Sequence, residues 1–155
     1  MKDKVFQSKG QTYSMNKPIL FTPYGEGAEL FKDGVYSIEN GCFAWTKGRS
    51  FDFEIHLDEE EDLVVQMEFW SIYRGVQSLV VFANGRSVFR GKIEYPEIRF
   101  RIPKESMEYG QVKLSLIYPD AASPSMDDAG NNDTRFLAFG IRKIMMMDME
   151  HAVRR

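Results

Sequence analysis

Apolar and polar residues alternate along much of this chain. In the segment SFDFEIHL, every second residue from Phe51 to Leu57 is apolar, and the residues between them are charged or polar. A period of two places such residues on one face of a β-strand. The pattern therefore predicts a strand with one buried and one exposed face.

The same alternation recurs in LVVQMEFW (63–70), EIRFRIP (97–103) and GQVKLSLIY (110–118). The acidic run DEEED (58–62) separates the first two strands and is typical of a solvated turn, so we expect a hairpin there. Several short strands separated by turn residues are typical of an antiparallel β-sandwich.

The sequence also predicts two local features, a hairpin turn and a β-bulge. Asn84-Gly85 lies between strand-like segments, and both residues tolerate the positive φ that a two-residue type I′ hairpin turn requires. In the last strand, expected to begin near Arg135, the apolar parity changes between Ile141 and Ile144. One extra residue near 142–143 would let the apolar residues on both sides of it face the core. The sequence therefore predicts a β-bulge there.

Helical signals are short and confined to 25–34 and 103–110. The fold prediction is an all-β, antiparallel two-sheet β-sandwich, jelly-roll-like or immunoglobulin-like. We expect a single domain over 13–147, with flexible termini at 1–12 and 148–155.

Composition narrows the possible partners. The chain has 155 residues, a net charge of −3 and no basic stripe, so no nucleic-acid partner is expected. A single cysteine excludes a disulfide framework within the chain. No apolar run approaches the ~20 residues that span a bilayer, and the opening MKDKVFQSKG is unlike a secretory signal. These features predict a cytoplasmic protein without membrane insertion.

The sequence contains no complete metal or catalytic motif. Its two histidines lack the spacing of a metal site, so no cofactor is expected. The loop DDAGNND (127–133) offers oxygen ligands for calcium, but Asp and Asn also stabilise turns. With 23 acidic residues, carboxylate pairs for glycoside hydrolysis are always available. We predict no enzyme, and a small glycan-active hydrolase or lyase remains the alternative.

A sugar-binding site needs fewer specific residues than a metal site or a catalytic site. A sugar ring presents an apolar face and a rim of hydroxyls, which proteins meet with an exposed aromatic ring and nearby polar groups. Aromatic side chains are supplied by Trp45, Trp70, Tyr73, Tyr36 and Tyr24. The alternative interpretation is that the two tryptophans close the rims of the core. Polar candidates are Arg74, Asn84, Asp120, Asp133 and Arg135.

Several segments resemble a bacterial carbohydrate-binding-like β-sandwich module found with glycosyltransferases and surface-polysaccharide assembly proteins. They are GVYSIENGCFAWTKG (34–48), VVFANGRSV (80–88), FRIP (100–103), YPDAASP (118–124) and DTRFLAFGI (133–141). The similarity covers most of residues 20–147. Positions that match its motifs are Glu39, Trp45, Thr46, Asp120, Ser123, Pro124, Asp133 and Arg135.

This resemblance implies a non-catalytic accessory role in bacterial polysaccharide or glycan metabolism, with a glycan as ligand. The alternative is a protein-interaction or scaffolding module that docks a glycosyltransferase or another assembly protein. The candidate ligand-binding residues are Glu39, Trp45, Trp70, Tyr73, Arg74, Asp120, Asp133 and Arg135. Asp133 and Arg135 lie two apart and can instead pair with each other and anchor the long loop.

Overall fold

A computed structural model describes residues 3–154 of the chain. Eleven strands form two sheets, and every strand pairing is antiparallel. The strands are β1 Val5–Ser8, β2 Gln11–Ser14, β3 Ile19–Leu20, β4 Ala44–Trp45, β5 Ser50–His56, β6 Leu63–Ile72, β7 Gln77–Ala83, β8 Arg86–Ile93, β9 Glu97–Ile102, β10 Gln111–Ile117 and β11 Phe139–Asp148.

One sheet has the order β2-β1-β5-β10-β7-β8, and the other has the order β3-β11-β6-β9, with β4 also paired to β11. The predicted antiparallel two-sheet β-sandwich is confirmed. Three short α-helices, α1 Gly27–Leu30, α2 Pro124–Asp127 and α3 Met149–Val153, and two 3-10 helices, Tyr73–Gly75 and Lys104–Ser106, join or follow the strands. None of the helices in the described part of the chain is long and apolar enough to cross a membrane.

The core lies between the two sheets, and strands such as β5, β9 and β10 bury every second residue in it. Phe53 and Leu114 point inward from one sheet, and Val65, Met67 and Ile144 point inward from the other. This is the arrangement that alternation predicts.

The local predictions are confirmed. Asn84 and Gly85 both have positive φ, 48° and 84°, in the turn between β7 and β8. The register of β11 against β6 shifts between Ile141 and Lys143, so the bulge lies where the change of parity placed it. After the bulge, Ile144 faces the core.

The predicted hairpin over 50–70 is wrong. β5 pairs with β1 and β10, whereas β6 pairs with β9 and β11 in the opposite sheet. The acidic run therefore crosses the sandwich instead of making a tight turn. Two of its carboxylates accept backbone hydrogen bonds, Glu60 from Gly110 N–H and Asp62 from Lys104 N–H.

Ordered elements extend beyond the expected domain limits of 13 and 147. β1 and α3 lie outside them, with Phe6 in the main core and Ala152 against a second apolar cluster. The flexibility of the termini stays a prediction. β11 begins at Phe139 and not near Arg135, because the N–H of Arg135 donates to the Asp133 side chain and makes a local turn.

Candidate functional site

The eight predicted ligand-binding residues gather at one end of the sandwich. The antiparallel order brings the segments 36–49, 70–76 and 118–138 together there, since β5, β7 and β11 begin at this end and β6 and β10 finish at it. Hydrogen bonds join these segments to one another, for example from Tyr118 N–H to the Arg49 carbonyl and from Tyr73 N–H to the Ala138 carbonyl.

Four aromatic side chains form a continuous surface, here called the aromatic platform: Phe43, Trp45, Trp70 and Tyr73. Trp70 is 53% exposed and stacks on Phe43, with ring centroids 5.8 Å apart and planes at 8°. Phe43 meets Trp45 edge-on at 5.8 Å, and Trp45 meets Tyr73 edge-on at 6.4 Å. Trp70 is therefore the most exposed ring of the platform, and it stacks on buried Phe43 with half-buried Trp45 and Tyr73 beside it.

A glycine makes room for the Phe43 ring. β4 pairs with β11 so that Trp45 lies opposite Gly140. A β-carbon on Gly140 would come within 2.8 Å of the Phe43 ring. The bare backbone at this point allows Phe43 to lie flat against β11. Sequence reasoning did not select Phe43, although its spacing of two from Trp45 would place both on one face of an extended segment.

Arg74 and Tyr73 hold helix α2 against the platform. The Tyr73 hydroxyl donates to Asp127 Oδ2 at 2.6 Å, and Arg74 donates to both carboxylate oxygens of Asp127, with Nε 2.8 Å from Oδ2. The hydrogen bonds from Arg74, and then from Tyr73, lower the pKa of Asp127 to about 2. Arg74 adopts a left-handed backbone, with φ 64°, which aims its guanidinium at this carboxylate.

Glu39, Asp133 and Arg135 form a second ionic group. Arg135 donates from Nη1 to Glu39 Oε1 at 2.7 Å and from Nη2 to Asp133 Oδ2 at 2.8 Å. Its guanidinium carbon also lies 5.4 Å from the centroid of the Tyr36 ring. The Arg135 hydrogen bonds lower the pKa of Asp133. This group holds the connection between β10 and β11 to residues 36–39. Direct contact of Glu39, Asp133 or Arg135 with a ligand stays a prediction.

Asp120 borders a surface hollow of about 440 Å³. Its Oδ2 accepts a hydrogen bond from Ser78 N–H at 3.1 Å, and hydrogen bonding by Ser78 lowers the pKa of the carboxyl. We call this feature the Asp120 hollow; its lining includes Arg49, Arg74, Val76, Pro119, Asp120 and Met126. Arg49, which the sequence did not single out, belongs to it because β5 begins at this end.

Two side chains of the oxygen-rich loop 127–133 stabilise turns within the loop. Asp128 Oδ1 accepts from Gly130 N–H at 3.0 Å, and Asn131 Oδ1 accepts from Asp133 N–H at 2.8 Å. Within residues 3–154, no three His, Cys, Asp or Glu side chains converge as a metal site requires. The geometry of this loop is that of a connection stabilised by Asx turns.

No family model matches this chain, and no curated protein sequence matches it significantly. Several solved structures are similar to it. A family 35 carbohydrate-binding module from an environmental isolate is 12% identical over 94% of this chain and 87% of that one, with a TM-score of 0.42. A family 35 module from Clostridium thermocellum is 7% identical over 83% of this chain and 97% of that one, with a TM-score of 0.44.

An exo-β-1,3-galactanase from Phanerochaete chrysosporium, solved with β-1,3-galactotriose, is 9% identical with a TM-score of 0.46. The similarity covers 88% of this chain and only 30% of the galactanase chain. At these identities and TM-scores, the similarities carry no argument about the ligand of this chain. Its function has to be inferred from the geometry of its own site.

Proposed function

We propose that this protein is a non-catalytic carbohydrate-binding module whose ligand stacks on Trp70. The observation that carries the proposal is the exposed indole of Trp70, which stacks on Phe43 at one end of the sandwich. The apolar face of a sugar ring packs on such a surface, while nearby polar groups bind the hydroxyls. Here those groups surround the platform on the loops that carry Arg74, Asp120 and Asp127.

The carboxylates at this end favour binding over hydrolysis. A glycosidase needs one carboxylic acid whose pKa is raised, so that it can donate a proton to the leaving group. The pKa values of Asp120, Asp127 and Asp133 are instead lowered by hydrogen bonds, from Ser78, from Arg74 and Tyr73, and from Arg135 respectively. These three groups are ionised acceptors at neutral pH, which suits them to bind hydroxyls.

The proposed setting is bacterial polysaccharide or glycan metabolism in the cytoplasm, where the module would act beside a glycosyltransferase or another assembly protein. This part rests on the resemblance of residues 34–48, 118–124 and 133–141 to an accessory module of such systems. The geometry of the platform is compatible with an accessory role, because a site at one end of the sandwich leaves the outer face of the β2-β1-β5-β10-β7-β8 sheet, with exposed Asp52, Glu54 and Lys113, available for a partner.

The proposal is tested with Trp70→Ala. The wild-type protein is titrated by calorimetry against neutral and uronate-containing β-linked oligosaccharides and against bacterial surface polysaccharide. We expect binding, and we expect the substitution to raise Kd by about tenfold or more, because it removes the stacking surface. Since Trp70 is more than half exposed, the substitution should leave the fold intact, as circular dichroism would show.

Tyr109→Ala is the matched control. Tyr109 is 97% exposed in the turn at the opposite end of the sandwich, so its loss should not change Kd. Absence of binding to every glycan by a folded wild-type protein would contradict the proposal. Recovery of an enzyme partner from a pull-down without glycan, combined with that absence, would favour the scaffolding alternative, since exposed tryptophan is also common at protein interfaces.

A further inference from the structure

Arg74 connects the Asp120 hollow to the aromatic platform. Arg74 lines the hollow, and its guanidinium carbon also lies 5.7 Å from the centroid of the Tyr73 ring, which belongs to the platform. The bidentate pair with Asp127 fixes Arg74 in this position. A ligand that extends past Tyr73 therefore reaches the hollow directly.

The hollow offers a charged acceptor. The Asp120 carboxylate receives one backbone hydrogen bond, from Ser78, through Oδ2. A carboxylate has about four lone-pair sites, so sites remain free beside the hydrogen bonding by Ser78. Its lowered pKa keeps it ionised at neutral pH, where it can accept from hydroxyl groups.

The hollow also offers donors and apolar surface. The Arg49 guanidinium lies 5.0 Å from the centroid of the Phe136 ring and makes one long hydrogen bond, from Nε to the Ala121 carbonyl at 3.5 Å. Within residues 3–154, its terminal nitrogens donate no hydrogen bond. The exposed side chains of Val76 and Met126 supply apolar walls.

We infer that the Asp120 hollow is a second sugar subsite, so that the ligand is an oligosaccharide segment spanning the hollow and the platform. Donors, a charged acceptor and apolar walls around one open cavity are what a hydroxylated ring requires. The inference rests on the proposed function, because it assigns the neighbouring unit of the same glycan. A chain that occupies both subsites binds more tightly than a short one, since the second contact is made intramolecularly.

The test compares chain lengths. Calorimetry measures Kd for a series from disaccharide to hexasaccharide of β-linked gluco-, xylo- and galacto-oligosaccharides. For the series that binds, we expect affinity to rise about tenfold with length. Asp120→Asn should remove most of this gain, and it should weaken hexasaccharide binding far more than disaccharide binding. Asp52→Asn is the matched control, since Asp52 is an exposed aspartate on the outer face of β5, and it should leave both values unchanged.

A second measurement separates the two proposals. Heteronuclear NMR follows the Trp70 indole N–H and the Arg49 Nε–H during titration. Shifts of both with the longer chains support the subsite. Shifts of Trp70 alone at every length, or equal affinity for all lengths, would overturn it while the proposed function stands. If neither signal moves with any oligosaccharide, the proposed function fails, and the subsite fails with it.

Discussion

Two tyrosines of the core differ in whether their hydroxyl makes a hydrogen bond. Tyr118 is almost fully buried, its ring meets Phe139 edge-on at 6.2 Å, and its hydroxyl has no hydrogen-bond partner among residues 3–154. Burial raises the pKa of this hydroxyl. Tyr13 is equally buried, but its hydroxyl donates to Glu29 Oε1 at 3.2 Å. The two hydroxyls should therefore contribute differently to the free energy of unfolding.

Tyr118→Phe should leave the free energy of unfolding unchanged or raise it by up to about 1 kcal/mol, because it removes an unpaired buried group. Tyr13→Phe should lower it by about 1 kcal/mol, because a hydrogen bond is lost. Urea denaturation followed by circular dichroism measures both. A loss at Tyr118→Phe as large as that at Tyr13→Phe would show that the hydroxyl of Tyr118 is satisfied in solution.

Among the elements, α3 depends most on one residue. It begins after Asp148, whose Oδ1 accepts a hydrogen bond from His151 N–H at 2.7 Å and caps the helix. The other oxygen accepts from Asn16 Nδ2 at 3.1 Å and lies 3.0 Å from Lys4 Nζ. These contacts hold α3 over the apolar cluster on the outer face of β6 and β11, which contains Val64, Met145, Met147 and Ala152.

Asp148→Ala should lower the free energy of unfolding by about 1–2 kcal/mol, because the helix loses its N-cap and Asn16 loses a partner. Hydrogen exchange should show faster exchange for the amides of α3. Asp148→Asn is the conservative control, since asparagine is also a good N-cap, and it should cost less. Equal losses for the two variants would show that the charge near Lys4, and not the cap, holds the helix.

At the scale of the whole molecule, the charged groups make stability depend on pH. Folding lowers the pKa of five aspartates, Asp62, Asp120, Asp127, Asp133 and Asp148. An unfolded aspartate has a pKa of about 3.9, so just below that pH the unfolded chain binds more protons than the folded one. The stability that these groups contribute is present above about pH 4 and is lost as pH falls through their folded pKa values.

The free energy of unfolding should therefore fall between about pH 4 and pH 2, with Asp127, whose pKa is about 2, among the last of these carboxylates to protonate. Urea denaturation at a series of pH values measures the slope, and carboxyl NMR titration measures Asp127 itself. Asp127→Asn should reduce the slope near pH 2 to 4. Stability that rises as the pH falls through this range would contradict the expectation.

The sequence by itself determined several of the strands and the face that each of them turns to the core. Alternation located β5, β6, β9 and β10, and the change of parity near Ile144 located the bulge. These features are local, because side-chain direction along a strand depends on neighbouring residues only. The pairing of Asp133 with Arg135 could also be predicted, since the two residues lie two positions apart.

Tertiary structure alone decided which elements meet. The alternation in β5 and β6 is compatible with a hairpin, yet the two strands lie in different sheets. Arg135 also binds Glu39, 96 positions away, and Trp70 stacks on Phe43, whose ring lies against Gly140. A period of two specifies which face is buried and says nothing about the partner strand, which depends on the packing of the whole core. The candidate site is made of such long-range contacts.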